Sequence, residues 1–111
     1  APFHCNLMNK ATNVMSKEIE KLSFEKSNNI LISNVTGDEI SNTEELKKLL
    51  TKQIENRVRW RESVINMINK GVKQFIEIGP GKVLSGLVKR INKDVVINSI
   101  NNEEDIKNLR I

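Results

Sequence analysis

The chain has 111 residues, 38% hydrophobic and 29% charged, with a formal net charge of +4 at neutral pH, which bounds it to one domain with room for a single core. No uncharged apolar run is long enough to span a bilayer, and no membrane association is expected. Lysines alternate with glutamates, as in Lys17-Glu18, Glu20-Lys21 and Glu44-Glu45 followed by Lys47-Lys48; this is the pattern of solvated helix faces, and the basic stripe with stacking aromatics that nucleic-acid binding requires is missing.

In chain order, Leu7, Ala11, Val14, Met15, Ile19 and Leu22 recur at helical spacing and predict a helix over roughly 6–22. Ser27-Asn28-Asn29 reads as a turn. Ile30-Leu31-Ile32 reads as a short buried strand, left through the turn residues Ser33-Asn34-Val35-Thr36-Gly37-Asp38. Ser41 with Glu44, or Asn42 with Glu45, can form a capping box for a second helix carrying Leu46, Leu49, Leu50 and Ile54. Asn56 interrupts it. A third helix then carries Trp60, Val64, Met67 and Ile68 and ends near Gly71.

Phe75-Ile76-Glu77-Ile78 has the length and composition of a buried strand, and Gly79-Pro80-Gly81 breaks it. Beyond that turn Val83, Leu84, Leu87, Val88 and Ile91 recur at helical spacing, with Lys82, Lys89, Arg90 and Lys93 between them. Val95-Val96-Ile97 reads as another strand. Glu103-Glu104-Asp105 opens a last short helix with Ile106 and Leu109. Short strands alternating with helices predict an α/β fold with a mostly parallel sheet. Phe3 and His4, ahead of the first helix, read as belonging to an interior.

The single cysteine, Cys5, excludes an intramolecular disulfide and a cysteine-based zinc site, and no metal or cofactor is expected. Ala1-Pro2-Phe3-His4 has neither the basic start nor the apolar core of a signal peptide, and the expected location is cytoplasmic.

Few stretches carry chemistry. GPGK invites a phosphate-loop reading, but Val83 stands where the Walker pattern needs Ser or Thr, and Leu84 occupies the third glycine of GxGxxG. A tight strand-to-helix turn is the better reading. Arg57, Arg59 and Arg61 read as a solvated run, or as partners of Glu55 and Glu62. Asn34 is expected to shape its own turn. Cys5 beside His4 does not make a dyad in an extended segment, where neighbouring side chains diverge, so Cys5 is expected to be inert. His4 is the only histidine and the only side chain suited by type to proton transfer at neutral pH. No GxSxG elbow supplies a nucleophile.

Four ordered stretches are familiar together: Ala1-Pro2-Phe3-His4-Cys5-Asn6-Leu7-Met8; Ile32-Ser33-Asn34-Val35-Thr36-Gly37; Gln53-Ile54 with Val58-Arg59-Trp60 and Glu62-Ser63-Val64; and Phe75 through Leu87 with the GPGK turn. In this order and spacing the sequence resembles the C-terminal part of the malonyl-CoA:acyl carrier protein transacylases of fatty-acid synthesis. The resemblance implies the C-terminal portion of an α/β-hydrolase-like acyltransferase subdomain, with an inserted ferredoxin-like subdomain and an N-terminal part outside residues 1–111. It implies ping-pong transfer of malonyl from CoA to acyl carrier protein through a serine ester. His4 matches the base that activates the serine, and Gln53 matches the residue whose backbone carbonyl orients that base. Phe3 matches a position whose bulk accompanies malonyl selectivity.

The GHSxG serine, the arginine that grips the malonyl carboxylate and the glutamine of the oxyanion hole have no counterpart in these 111 residues. The resemblance therefore implies an acyltransferase only as a larger protein, with the missing N-terminal segment as a partner and residues 1–111 alone inactive. Lys82, Lys89 and Arg90 are a candidate docking surface for the acidic carrier protein. The opposing reading is a non-enzymatic small α/β module that binds a partner.

Overall fold

The computed structural model describes residues 2–111; Ala1, the first residue of the histidine motif, lies outside them. The chain forms two units, Ala1–Ser63 and Val64–Ile111.

In the first unit a 3-10 turn, Asn6–Met8, leads into helix α1, Asn9–Lys21. This is the predicted first helix with a tightened start. It packs against α2, Thr43–Lys52, and each helix contributes one buried apolar side chain, Ile19 and Leu49. The predicted apolar face of α1 is only partly the covered one. Leu7, Val14, Met15 and Leu22 are exposed, while the smaller Ala11, Thr12 and Ser16 are half-buried in line with Ile19. Helix axes can approach closely where side chains are small.

Of the two possible capping boxes, the one built on Asn42 forms. Asn42 Oδ1 accepts the Glu45 N–H at 2.8 Å, and the Glu45 carboxylate accepts the Ser41 N–H at 2.7 Å together with the Ser41 hydroxyl. Those bonds, the hydroxyl's first, hold the Glu45 carboxyl below the usual glutamate range.

Ile30-Leu31-Ile32 is not the buried strand that its composition predicts. Ile30 and Leu31 are exposed, and the segment makes one antiparallel bridge, Ile32 with Glu39. The backbone reverses over 33–38 through Ser33 N–H to Asp38 O at 2.9 Å, Gly37 N–H to Ser33 O at 2.8 Å and Ile40 N–H to Leu31 O at 2.9 Å. Its neighbour is thus its own returning loop, too short to extend a ladder. Gly37 has φ +73°, the left-handed region that favours glycine, and a Cβ there would also press on Glu62 Cβ at 3.1 Å.

Helix α3, Trp60–Asn69, starts in the first unit and continues into the second. Val64 is fully buried. The second unit continues with β1, Gln74–Ile78, then α4, Val83–Ile91, β2, Val96–Ile100, and α5, Glu103–Asn108. The strands pair in parallel from Gln74 opposite Val96 to Ile78 opposite Ile100, which is the predicted α/β step with a helical crossover. Helix α4 packs on both strands and α5 on β2. The strand at Phe75 is not buried as predicted: Ile76 is exposed and Ile78 is 79% exposed. A parallel strand reads as continuously apolar because both its faces are normally covered, and β1 here has a single strand neighbour.

Candidate active site

His4 sits in a turn ahead of the 3-10 segment, with φ +62°, the left-handed region that a non-glycine residue enters at some cost. The extended backbone expected here is therefore not the one adopted. Two hydrogen bonds explain the conformation. The His4 backbone N–H donates to Ile54 O at 3.0 Å, and the ring Nδ1 lies 2.8 Å from Gln53 O. One residue thus engages two consecutive carbonyls. A carbonyl oxygen has no proton to give, so Nδ1 must be the donor. In the neutral ring Nε2 is then left with its lone pair free to accept a proton.

Both carbonyls come from the end of α2, where backbone carbonyl groups run out of helical partners. Gln53 is the C-cap of that helix, and its own N–H bonds Leu49 O. The Lys52 carbonyl is closed by Asn56, through its N–H at 3.1 Å and its amide Nδ2 at 2.7 Å. Gln53 O and Ile54 O, one step further on, face His4. Ile54 was not legible as a site residue, because a backbone acceptor leaves no mark on residue type.

Phe3 and His4 are exposed, Phe3 at 65%, and do not lie in an interior as the sequence reading expects. Cys5 donates its thiol to Pro2 O at 3.1 Å, while the His4 ring bonds Gln53 O through Nδ1. Asn34 offers its backbone carbonyl to the Arg59 N–H at 2.8 Å. Arg57 and Arg59 both lie near Glu62, at 3.6 and 3.7 Å, exposed pairs worth little individually.

The GPGK turn is a tight strand-to-helix connection, with Gly79 at φ +138° and Gly81 at φ +89°. The Gly79 N–H bonds Ile100 O at 3.1 Å and the Gly81 N–H bonds Asn101 Oδ1 at 2.6 Å. The anion that a helix start favours is already present. Glu77, reaching from β1, accepts the Ser85 N–H at 2.7 Å, the Leu84 N–H at 3.1 Å and the Ser85 hydroxyl, which also lies 2.8 Å from Ser99 Oγ. A phosphate would have to displace this carboxylate from the N-terminus of α4. A charge in the middle of Phe-Ile-Glu-Ile was the sequence signal for it.

The Ser85 hydroxyl above all, then the Ser85 and Leu84 amides, hold the Glu77 carboxyl below its ordinary 4.5. A carboxyl lowered in the folded state contributes stability above its unfolded value, and that contribution is lost as the pH falls through the folded one. Glu77→Gln is therefore expected to lower the melting temperature at neutral pH and to narrow its gap to the wild type in acid below the glutamate range. A gap that stays constant across that window would show that the ionised carboxylate does not cap α4.

Lys82, Lys89 and Arg90 are exposed and stand at the two ends of α4. Lys82 is the N-cap of α4, and Lys89 and Arg90 fall in its last turn, about 10 Å further along at 1.5 Å per residue. Positive charge at a helix C-terminus is also favoured by the helix dipole. Among the described residues no three His, Cys, Asp or Glu side chains gather where they could hold a metal ion, and no helix is long and apolar enough to cross a membrane.

No family model matches the sequence. It is 37% identical over 106 residues to the malonyl CoA-acyl carrier protein transacylase of Bacillus subtilis, covering 96% of this chain and 33% of that protein. The crystal structure of the malonyl CoA-acyl carrier protein transacylase from Clostridium perfringens superposes with a TM-score of 0.89 at 39% identity, over 97% of this chain and 34% of that one. Sequence and fold agree: this chain is similar to one third of a malonyl CoA-acyl carrier protein transacylase. A further transacylase structure, solved in complex with a type II PKS acyl-carrier protein, matches with a TM-score of 0.89 at 33% identity, over 96% of this chain and 35% of that one. The chain spans about a third of the length of the transacylases it matches, and its α/β architecture with a small parallel sheet is a portion of theirs.

Proposed function

We propose that these residues are the C-terminal segment of the large subdomain of a malonyl-CoA:acyl carrier protein transacylase, with His4 as its general base. The ferredoxin-like insert and the N-terminal part that bears the nucleophile lie outside the segment. The observation that carries the reading is the bond from His4 Nδ1 to Gln53 O, which leaves Nε2 as the proton acceptor. In the first half-reaction Nε2 takes the proton of a serine hydroxyl as its oxygen attacks the malonyl thioester, and the proton leaves with the CoA thiol. In the second, Nε2 takes the proton of the carrier protein's thiol, which attacks the ester, and returns it to the serine oxygen. Gln53 acts through its carbonyl alone. Phe3, adjacent in sequence and exposed, lies beside the acyl group. The setting is fatty-acid synthesis in the cytoplasm. Similarity to malonyl transacylases over 96% of the chain disfavours a non-enzymatic partner-binding module.

Labelled malonyl-CoA tests the reading. A protein in which residues 1–111 are joined to the transacylase N-terminal part is expected to take label on serine and pass it to the carrier protein. Residues 1–111 alone are expected to stay unlabelled, and a stable acyl group on a residue within them would overturn the assignment. The same assay tests Lys89 and Arg90 as the part of the basic surface that meets the carrier protein. Reversing both to Glu is expected to raise the carrier-protein KM, more at low salt than at high salt, and to leave malonyl-serine formation unchanged. An unchanged KM at low ionic strength removes them from the docking surface.

A further inference from the structure

We infer that Asn56 is a positioning residue for the His4 base, an inference that rests on the transacylase reading. His4 is held by two carbonyls, Gln53 O at 2.8 Å and Ile54 O at 3.0 Å, and neither belongs to a side chain that packing could fix. Their directions depend on how the backbone leaves α2. After Lys52 the helix ends, and the Ile54 N–H bonds Thr51 O at 3.3 Å, a long bond. The stronger closure is at Lys52 O, which accepts the Glu55 N–H at 3.2 Å, the Asn56 N–H at 3.1 Å and, in the shortest of the three bonds and the one a substitution at Asn56 removes, Asn56 Nδ2 at 2.7 Å. The two carbonyls that meet His4 lie inside the loop that this closure forms, between Lys52 and Asn56.

The backbone at His4 raises the demand on that loop. At φ +62° a non-glycine residue is strained, and the two bonds to Gln53 O and Ile54 O oppose that strain. If the 52–56 loop loosens, the His4 backbone can relax and the ring loses its Nδ1 acceptor. Nδ1 then no longer needs to carry the proton, and the fraction of rings with a free Nε2 lone pair falls. Asn56 touches neither substrate nor the reacting atoms and acts only through Gln53 and Ile54.

The test uses the joined transacylase, with the wild type, Asn56→Ala and Asn56→Thr compared. A threonine hydroxyl can donate to the carbonyl four residues back, so Asn56→Thr keeps a donor for Lys52 O. Asn56→Ala is expected to lower kcat by about 3- to 10-fold, as loss of a single hydrogen bond implies, with KM for malonyl-CoA unchanged and Asn56→Thr restoring most of the loss. Spectra of ¹⁵N-histidine-labelled protein, with His4 assigned by His4→Ala, are expected to show the Nδ1–H tautomer in the wild type and a mixture in Asn56→Ala. A fall in melting temperature with kcat and tautomer unchanged would make Asn56 a plain helix terminator and overturn the inference. So would an Asn56→Thr protein no better than Asn56→Ala. A wild type without malonyl transfer defeats the transacylase reading, and the tautomer comparison then still decides whether Asn56 positions His4.

Discussion

His4→Ala in the joined transacylase is expected to cut malonyl transfer by roughly 10²–10⁴-fold, the range that a positioned general base contributes. The loss should fall on kcat, because in the proposed mechanism the ring would make its essential contact with a serine proton in flight and not with the bound acyl-CoA. Folding should change little, since His4 is exposed and its backbone bond to Ile54 survives the substitution. Gln53→Ala provides the contrast. The Nδ1 acceptor is the Gln53 carbonyl, which alanine also has, so this variant is expected to keep most of its activity. Initial rates at saturating malonyl-CoA, with single-turnover formation of the acyl-serine, separate the two. Near-normal turnover in His4→Ala would reduce the histidine to an ordinary turn residue, and a collapse in Gln53→Ala would mean that the amide side chain takes part.

What could be read from residue types, and what could not, follows from which atoms carry each feature. His4 was legible as the only histidine, set in a stretch resembling a transacylase motif. The helices were legible because their apolar spacing and caps are side-chain properties; Asn42 with Glu45 is an instance. The clamp on His4 was half legible. Gln53 entered only through the resemblance, and Ile54 not at all, because both act through backbone oxygens common to every residue. The left-handed backbone at His4 follows from a contact 49 residues away in sequence, beyond the reach of local pattern. The Ile30 segment shows the opposite error. Its side chains suit a strand, but a strand exists only where a neighbour completes its ladder, and here its neighbour is one bridge across its own turn. At β1 the strand was found and its burial was not, because burial is a property of what lies over it.

Residues 1–111 expressed alone are expected to be aggregated, molten or oligomeric, and to lack a cooperative unfolding transition. The reason lies in what the described residues bury. Only Ile19, Leu49, Val64 and Val88 are buried apolar side chains among them, while Leu7, Val14, Ile30, Ile78, Val83, Val96 and Ile106 are each more than half exposed. Covering one such side chain is worth about 1.5–3 kcal/mol, and a whole domain has only about 5–15 kcal/mol to lose. The sheet adds to the deficit. Two parallel strands, β1 and β2, form it, although parallel sheets persist where both faces are covered and small isolated sheets are marginal. The outer edges of such a pair present unpaired backbone groups with apolar neighbours such as Ile78 and Val96, a template for association with other copies. Gel filtration and a urea melt decide the matter. Broad or void-volume elution with a gradual melt is expected for residues 1–111, and a single sharp transition once the transacylase N-terminal part is joined. A compact monomer with a steep transition from residues 1–111 alone would mean that this surface needs no cover, and the reading as a self-sufficient small α/β module would move ahead of the transacylase segment.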